Sequence, residues 1–468
     1  MAEEFDLIII GSGSGNSLIT EDWENKKVAM IDGGTFGGTC LNFGCIPTKQ
    51  YVYPATVAAK AEELHELGVT AQVTSTDWPA MRDRIFARID AISQGGLEYR
   101  QNSENVTVIE EYAKFVDPHT VETSSGRQLT APQIVVANGS RNIVPEIEGI
   151  DHAKVYTSDT VMRMPELPER VLIIGGGYIA AEFAHVFHGL GAQVIQAHRS
   201  DVLLRKSDPE VSARFAEEAA RQWDLRMNHS VTGISENSDG SLRVAMDHEG
   251  TAVTADVDVV LLAIGRRPNT DTVNAAPFFD VDDSSQLLAV DEFQRVLHQR
   301  QPVTGIYALG DVSSPHQLKH VANAEMRTVA HNLVHAEDLH TTDHRYVPSA
   351  VFTHPQIAQV GLTEPQARER AAQEGFELAV KVQNVGDVAY GWAMEDQVGF
   401  LKVLANRETG ELLGAHMIGE EASNIIQPLI QAMSFGQTAL EVARGQYWIH
   451  PALSEVVENA LLGLQTEK

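Results

Sequence analysis

Cysteine is almost missing from this chain of 468 residues, which holds only Cys40 and Cys45. That scarcity excludes a disulfide-built scaffold, and a chain of this length buries enough surface to fold without one. A bridge closing the four intervening residues, Leu41-Asn42-Phe43-Gly44, would remove little unfolded-chain entropy and stabilise little. A zinc site is disfavoured because no third cysteine exists and no histidine lies nearby in sequence. The spacing leaves a redox pair or two incidental thiols, and the first is the better reading.

Basic charge is also scarce. Thirty-five Lys and Arg stand against 64 Asp and Glu, a net charge of −29, a field that repels nucleic acid and anionic membranes. An anionic ligand therefore needs a local concentration of donors or cations. Long apolar runs are lacking too: none approaches the roughly 18 residues of a membrane-spanning helix. The start, Met1-Ala2-Glu3-Glu4, is acidic where a secretory signal is basic, so a cytoplasmic protein is expected.

Against these absences stand two glycine-rich turns. Residues 5–10 read as a buried strand, Gly11-Ser12-Gly13-Ser14-Gly15 as a turn into a helix, and residues 28–31 as a second strand ending at Asp32. Strand, turn, helix, strand and acid in this register form a dinucleotide unit: glycines let a pyrophosphate approach a helix N-terminus, and the acid bonds ribose hydroxyls. Asn16 occupies the third glycine position, which suggests a slightly wider helix–strand contact. The pattern recurs at residues 171–174, Gly175-Gly176-Gly177-Tyr178-Ile179-Ala180, a helix over 181–190 and a strand at 194–195. Two such units predict two bound nucleotides.

The second unit ends without an acid. His198-Arg199 and Arg205 stand there instead, and arginines suit the 2′-phosphate of NADP rather than the free hydroxyl of NAD. At roughly 1.5–3 kcal/mol per charge-assisted bond, the pair favours NADPH by about 10²–10⁴-fold as an upper range. Strand–turn segments at 134–141 and 259–268 read as chain crossings between domains, and 305–311 as a buried strand ending in Gly310-Asp311. From about Tyr346 the pattern changes to mixed strands and amphipathic helices without a phosphate-type turn.

The segment Gly37-Gly38-Thr39-Cys40-Leu41-Asn42-Phe43-Gly44-Cys45-Ile46-Pro47-Thr48-Lys49 resembles the redox motif of the pyridine nucleotide–disulfide oxidoreductases of the glutathione reductase type, with Phe43 as the visible departure. The resemblance covers essentially the whole chain, from the first fingerprint to His450-Pro451. Residues 386–396 and 445–453 are most similar to the branch that reduces mycothione, the disulfide of mycothiol.

That resemblance implies an α/β fold with two Rossmann-like domains and a C-terminal α+β dimerisation domain. FAD would be bound by residues 1–148 with 265–342, and NADPH by 149–264. Residues 343–468 would form the interface. It implies FAD contacts at Gly11, Gly13, Gly15, Asp32, Gly38, Thr39, Gly310 and Asp311. It implies NADPH contacts at Gly175, Gly177, Tyr178, Ala180, Arg199, Arg205 and Gly265. Electrons would pass from NADPH through FAD to a Cys40–Cys45 disulfide.

Cys45 would face the flavin and Cys40 would attack substrate, both favoured as thiolates by helix N-termini. Lys49 would pair with Glu182. His450, held by Glu455, would act as acid–base on the other subunit of a homodimer. No metal site is expected. Leu18-Ile19-Thr20-Glu21-Asp22 carries acids where glutathione reductases carry arginine, which favours a largely uncharged thiol substrate. A dihydrolipoamide dehydrogenase, a glutathione-type reductase and a flavin-binding redox sensor are the competing readings.

Overall fold

A computed structural model describes residues 2–466, so Met1, and Glu467 and Lys468 at the end of the expected interface domain, lie outside the described residues. The first unit opens on Leu7–Ile10, four consecutive buried apolar residues. Such a run fits a parallel strand covered on both faces, and each side chain stabilises by roughly 1.5–3 kcal/mol on burial. This strand is central in a six-stranded sheet whose order is 295–298, 301–308, 133–136, 7–10, 28–31 and 106–109. All its pairings are parallel except that between 295–298 and 301–308. A four-stranded sheet of strands 3–4, 128–130, 120–123 and 113–117 accompanies it.

The expected helix after the first turn is absent. In its place stand two short 3-10 segments, Ser14–Leu18 and Glu21–Trp23. Gly15, Asn16 and Ser17 are poor α-helix formers, and Asn16 is held elsewhere: Arg100 donates to its Oδ1 and carbonyl, both at 2.7 Å. The expected wider contact is also corrected. The close approach has moved one residue earlier, because a Cβ on Gly15 would lie 2.8 Å from Ile9.

The second unit is a five-stranded parallel sheet ordered 155–157, 259–262, 170–174, 193–198 and 224–227, beside an antiparallel sheet of 229–236, 242–248 and 251–257. Its helix, Tyr178–Gly189, starts directly after Gly177 and is buried from Ala180 to Phe187, while Tyr178 at its start is exposed. The two crossings run side by side: Ser140–Asn142 pairs antiparallel with Arg266–Pro268. Buried Arg266 ties that ribbon together by donating to Ser140, Asn142 and Asp159.

The remaining chain forms a five-stranded antiparallel sheet in the order 349–351, 356–361, 412–419, 400–406 and 378–384, with every residue of the two strands 400–406 and 412–419 buried. Among the described residues no helix is long and apolar enough to cross a membrane.

Candidate active site at the Cys40–Cys45 pair

Cys40 lies within the short helix Gly38–Asn42, and Cys45 is the first residue of the long helix Cys45–Glu63. Glycines permit this abrupt start, since Gly37 and Gly38 take φ of 99° and 72°, in the left-handed region. Asn42 fastens the turn from inside by donating to the carbonyls of Phe36 and Gly38. Phe43, the departure from the family motif, lines the cleft beside the cysteines.

The long helix is anchored by Tyr51, which stacks on Trp78 at 4.5 Å and donates to Met162 O. It also packs closely on the Tyr178–Gly189 helix. A Cβ on Gly189 would fall 2.7 Å from Ala55 O, so glycine permits the approach. That crossing brings Lys49 to Glu182, with Nζ at 2.7 and 2.8 Å from the two carboxylate oxygens. Glu182 is buried and also accepts from Phe352 N at 3.0 Å, so three segments meet on one carboxylate.

The two sulfurs lie 2.8 Å apart as free thiols, with Cys40 donating to Cys45. The Cys45 thiol is lowered to about 7, chiefly by that hydrogen bond and then by the Lys49 charge, against the opposing effect of burial. The Cys40 thiol is pushed strongly upward, because its proton is held by Cys45, burial disfavours its charge and the neighbouring thiolate repels a second one. This corrects the expectation that both positions favour ionisation. Cys45 opens a long helix whereas Cys40 sits within a five-residue one, and two thiolates at this distance cannot coexist.

The pair lines a cleft of about 2300 Å³ that also takes in both glycine turns, Asp32, Asp311, Tyr178, Arg199 and Arg205. A single small-molecule site usually spans about 300–1,000 Å³, so the space suits two dinucleotides end to end. The turns themselves fit that use. Gly11 and Gly175 occupy equivalent places, with φ of 107° and 147°, and a Cβ on either would strike the carbonyl of Ala137 or Ala263.

Asp32 accepts from Ser12 N, Ser12 Oγ and Gly34 N at 2.5–2.9 Å, locking the first turn to the second strand. Asp311 accepts from Ser140 at 2.7 Å. Arg199 and Arg205 are exposed and have no hydrogen-bond or carboxylate partner among the described residues. Their exposure puts their selectivity at the lower end of the range expected above.

Gly13, Gly15, Gly38, Thr39, Gly177, Ala180, Gly265 and Gly310 follow the same two turns or the loops facing them; of these Gly15 and Ala180 are buried packing positions absent from the cleft lining. Two groups near the cleft escaped the sequence reading. Lys319 donates to Ser14 and lends positive charge near Cys40, and buried Glu325 accepts from Gly310 N at 2.7 Å. Neither sits in a motif, so only their position on the 319–334 helix could have singled them out.

A second depression of about 730 Å³ lies beside Cys45, lined by Ile46, Gln50, Tyr53 and Arg84 but not by Cys40. His450 and Glu455 are in contact, Nδ1 to Oε1 at 2.6 Å, and that bond holds Glu455 below the usual carboxylate range. They do not line either cavity of their own chain. His450 is 71% exposed, in a stretch where Tyr447 and Ile449 also face solvent.

Residues 5–328 match the model of the pyridine nucleotide-disulphide oxidoreductases, and residues 347–461 match that family's dimerisation domain. The chain belongs to the pyridine nucleotide-disulphide oxidoreductases. As a member, it is an FAD- and NADPH-dependent oxidoreductase built from Rossmann-like units and a dimerisation domain.

The family resemblance extends to full-length relatives. The chain is 47% identical to the mycothione reductase of Mycobacterium tuberculosis, over 99% of its own length and all of the relative's. It is 32% identical to the glutathione reductase of Burkholderia cepacia, over 97% of both chains. Among solved structures it resembles the HOCl-induced flavoprotein disulfide reductase RclA of Escherichia coli, with a TM-score of 0.84 at 26% identity over 99% of both.

Proposed function

We propose that this oxidoreductase reduces mycothione to mycothiol at the expense of NADPH. The observation that carries the reading is the Cys40–Cys45 pair, at the N-terminus of a long helix and in one cleft with two dinucleotide turns. Within that reading, residues 1–148 with 265–342 hold FAD, 149–264 hold NADPH and 343–468 form the interface.

Bound FAD supplies a two-electron connection between NADPH and the protein disulfide. Asp32 and the Gly11–Gly15 turn hold its adenosine and pyrophosphate side, and Asp311 holds the other. Arg199 and Arg205 receive the NADPH 2′-phosphate, with Tyr178 guarding the nicotinamide side. Lys49, steadied by Glu182, keeps a positive charge beside Cys45.

In the reduced pair the thiolate resides on Cys45 and the proton on Cys40. Cys40 must release that proton before it can attack, since the thiolate is the nucleophile. The partner's His450 takes it, with Glu455 fixing the imidazole tautomer. Cys40 sulfur then attacks one sulfur of the substrate disulfide. The bond between the substrate sulfurs breaks, and the departing thiolate collects the proton from the imidazolium. Cys45 thiolate next attacks Cys40 sulfur, re-forming the protein disulfide and expelling the second thiolate, which takes a proton from solvent. The sum is one disulfide, two electrons and two protons converted to two thiols.

The substrate choice rests on charge. Exposed Glu21 and Asp22 would repel the carboxylates of glutathione disulfide. The test is NADPH oxidation by the FAD-loaded protein with mycothione, glutathione disulfide or lipoamide. The proposal expects the highest kcat/KM with mycothione, and equal or better turnover of either competitor would overturn it.

A further inference from the structure

At the far end of the helix Lys319–Val334 lies a cluster that the redox reaction does not use. The N-terminal end of this helix carries Lys319, on the cleft wall. Sixteen residues at about 1.5 Å each put its other end roughly 24 Å away. There the chain runs His331-Asn332-Leu333-Val334-His335-Ala336-Glu337-Asp338-Leu339-His340.

One ligand atom from each of His331, Asp338 and His340 lies within 4.8 Å of the others. The His331 and His340 rings are stacked at 3.5 Å and 9°, and the His335 ring lies 4.4 Å from that of His331. The arrangement is built into the backbone. Buried Asn332 donates to His340 O at 2.9 Å and accepts from His340 N at 2.8 Å, while also donating to Phe293 O. Thr342 closes the return by donating to Glu292 O and Thr328 Oγ1. His331 Nε2 meets the Asp338 carbonyl at 2.7 Å, drawing the segment back over the helix end.

We propose that His331, Asp338 and His340 bind one borderline divalent cation of the Zn(II) or Cu(II) class. Imidazole nitrogens with a carboxylate oxygen are the donor set such ions take. Zinc–nitrogen bonds of about 2.0–2.1 Å require the stacked His331 and His340 rings to turn until their in-plane lone pairs converge, a movement open to ligand atoms already within 4.8 Å of one another. The chain's net charge of −29 favours a cation as well. The sequence leads to no expectation of a metal, since only the cysteines draw attention there and this cluster lies far from them in the chain. The bound ion would staple the 335–342 segment to the helix, apart from the redox cleft.

The test is isothermal titration of ZnCl₂ into the FAD-loaded protein in its oxidised form, where Cys40 and Cys45 offer no thiolate. One zinc per chain is expected. His331→Ala and His340→Ala should each weaken binding by about 100-fold or more, beyond the roughly 10–100-fold typical of losing a group that only orients a ligand. Affinity should fall as pH is lowered, because protons compete for the ligand atoms. Should either variant fold poorly, Cu(II) electron paramagnetic resonance on the unaltered protein decides: coupling to two imidazole nitrogens supports the site. No zinc uptake, unchanged affinity in both variants, or a copper signal without nitrogen coupling would overturn it.

Discussion

Lys49 and Glu182 should move the Cys45 thiol in opposite directions when each is neutralised. Lys49 follows Cys45 by one helical turn, so its charge lies about 6 Å from the sulfur. At an effective dielectric of about 20 that is roughly 2–3 kcal/mol before screening. Lys49 is 34% exposed and its charge is shared with Glu182, which reduces the effect to about 1.4 kcal/mol, or one pKa unit. Lys49→Met should therefore raise Cys45 from about 7 towards 8.

Glu182→Gln removes a carboxylate that opposes the thiolate, and should lower Cys45 by about half a unit. The assay is the pH dependence of iodoacetamide labelling of Cys45 in the reduced protein, read by peptide mass. Reactivity should rise with pH through about 7 in the unaltered protein. At pH 6.5 the thiolate fraction should fall about eightfold in Lys49→Met and rise about twofold in Glu182→Gln. Equal titration in all three proteins, or shifts of the same sign, would refute the electrostatic assignment.

Replacing Arg199 and Arg205 together by Ala should reduce the NADPH-to-NADH ratio of kcat/KM by about 30-fold, at roughly 1 kcal/mol for each exposed contact. Steady-state kinetics with the two cofactors checks this. Lys402 is buried and bridges Asp208, Glu210 and Glu364 at 2.6–3.0 Å. Lys402→Met should cost about 3–5 kcal/mol by leaving buried carboxylate charge unpaired, seen as a lower Tm, and Asp208→Asn in the same chain should recover part of the loss. Cys40→Ser and His450→Ala should each abolish most disulfide turnover, a general acid contributing about 10²–10⁴-fold. Dimers mixed from the two variants should regain one working site, because an intact thiol pair then meets an intact His450 from the other subunit. Mixed dimers as inactive as the parents would place His450 on its own chain's thiols.

The two dinucleotide turns and the thiol pair were legible because their chemistry is local. Glycines, β-branched strands and a terminal acid within about 30 residues constrain one another. The missing first helix was less legible, since its sequence could have supported one until Arg100, 84 residues away, captured Asn16. The division of labour between the cysteines was hidden as well. Spacing sets both near helix starts, but only the 2.8 Å separation shows that ionising one suppresses the other. The Lys402 network and the Glu182 contact with Phe352 join segments more than 150 residues apart, and no window on the sequence contains them.

The most direct test counts thiols. The chain has two cysteines in all, so alkylation reports on this pair alone. After gentle oxidation the FAD-loaded protein should present no reactive thiol. One equivalent of NADPH per chain, without oxygen, should expose two, and adding mycothione should return the count to zero. A count that NADPH leaves unchanged would contradict electron delivery to Cys40 and Cys45.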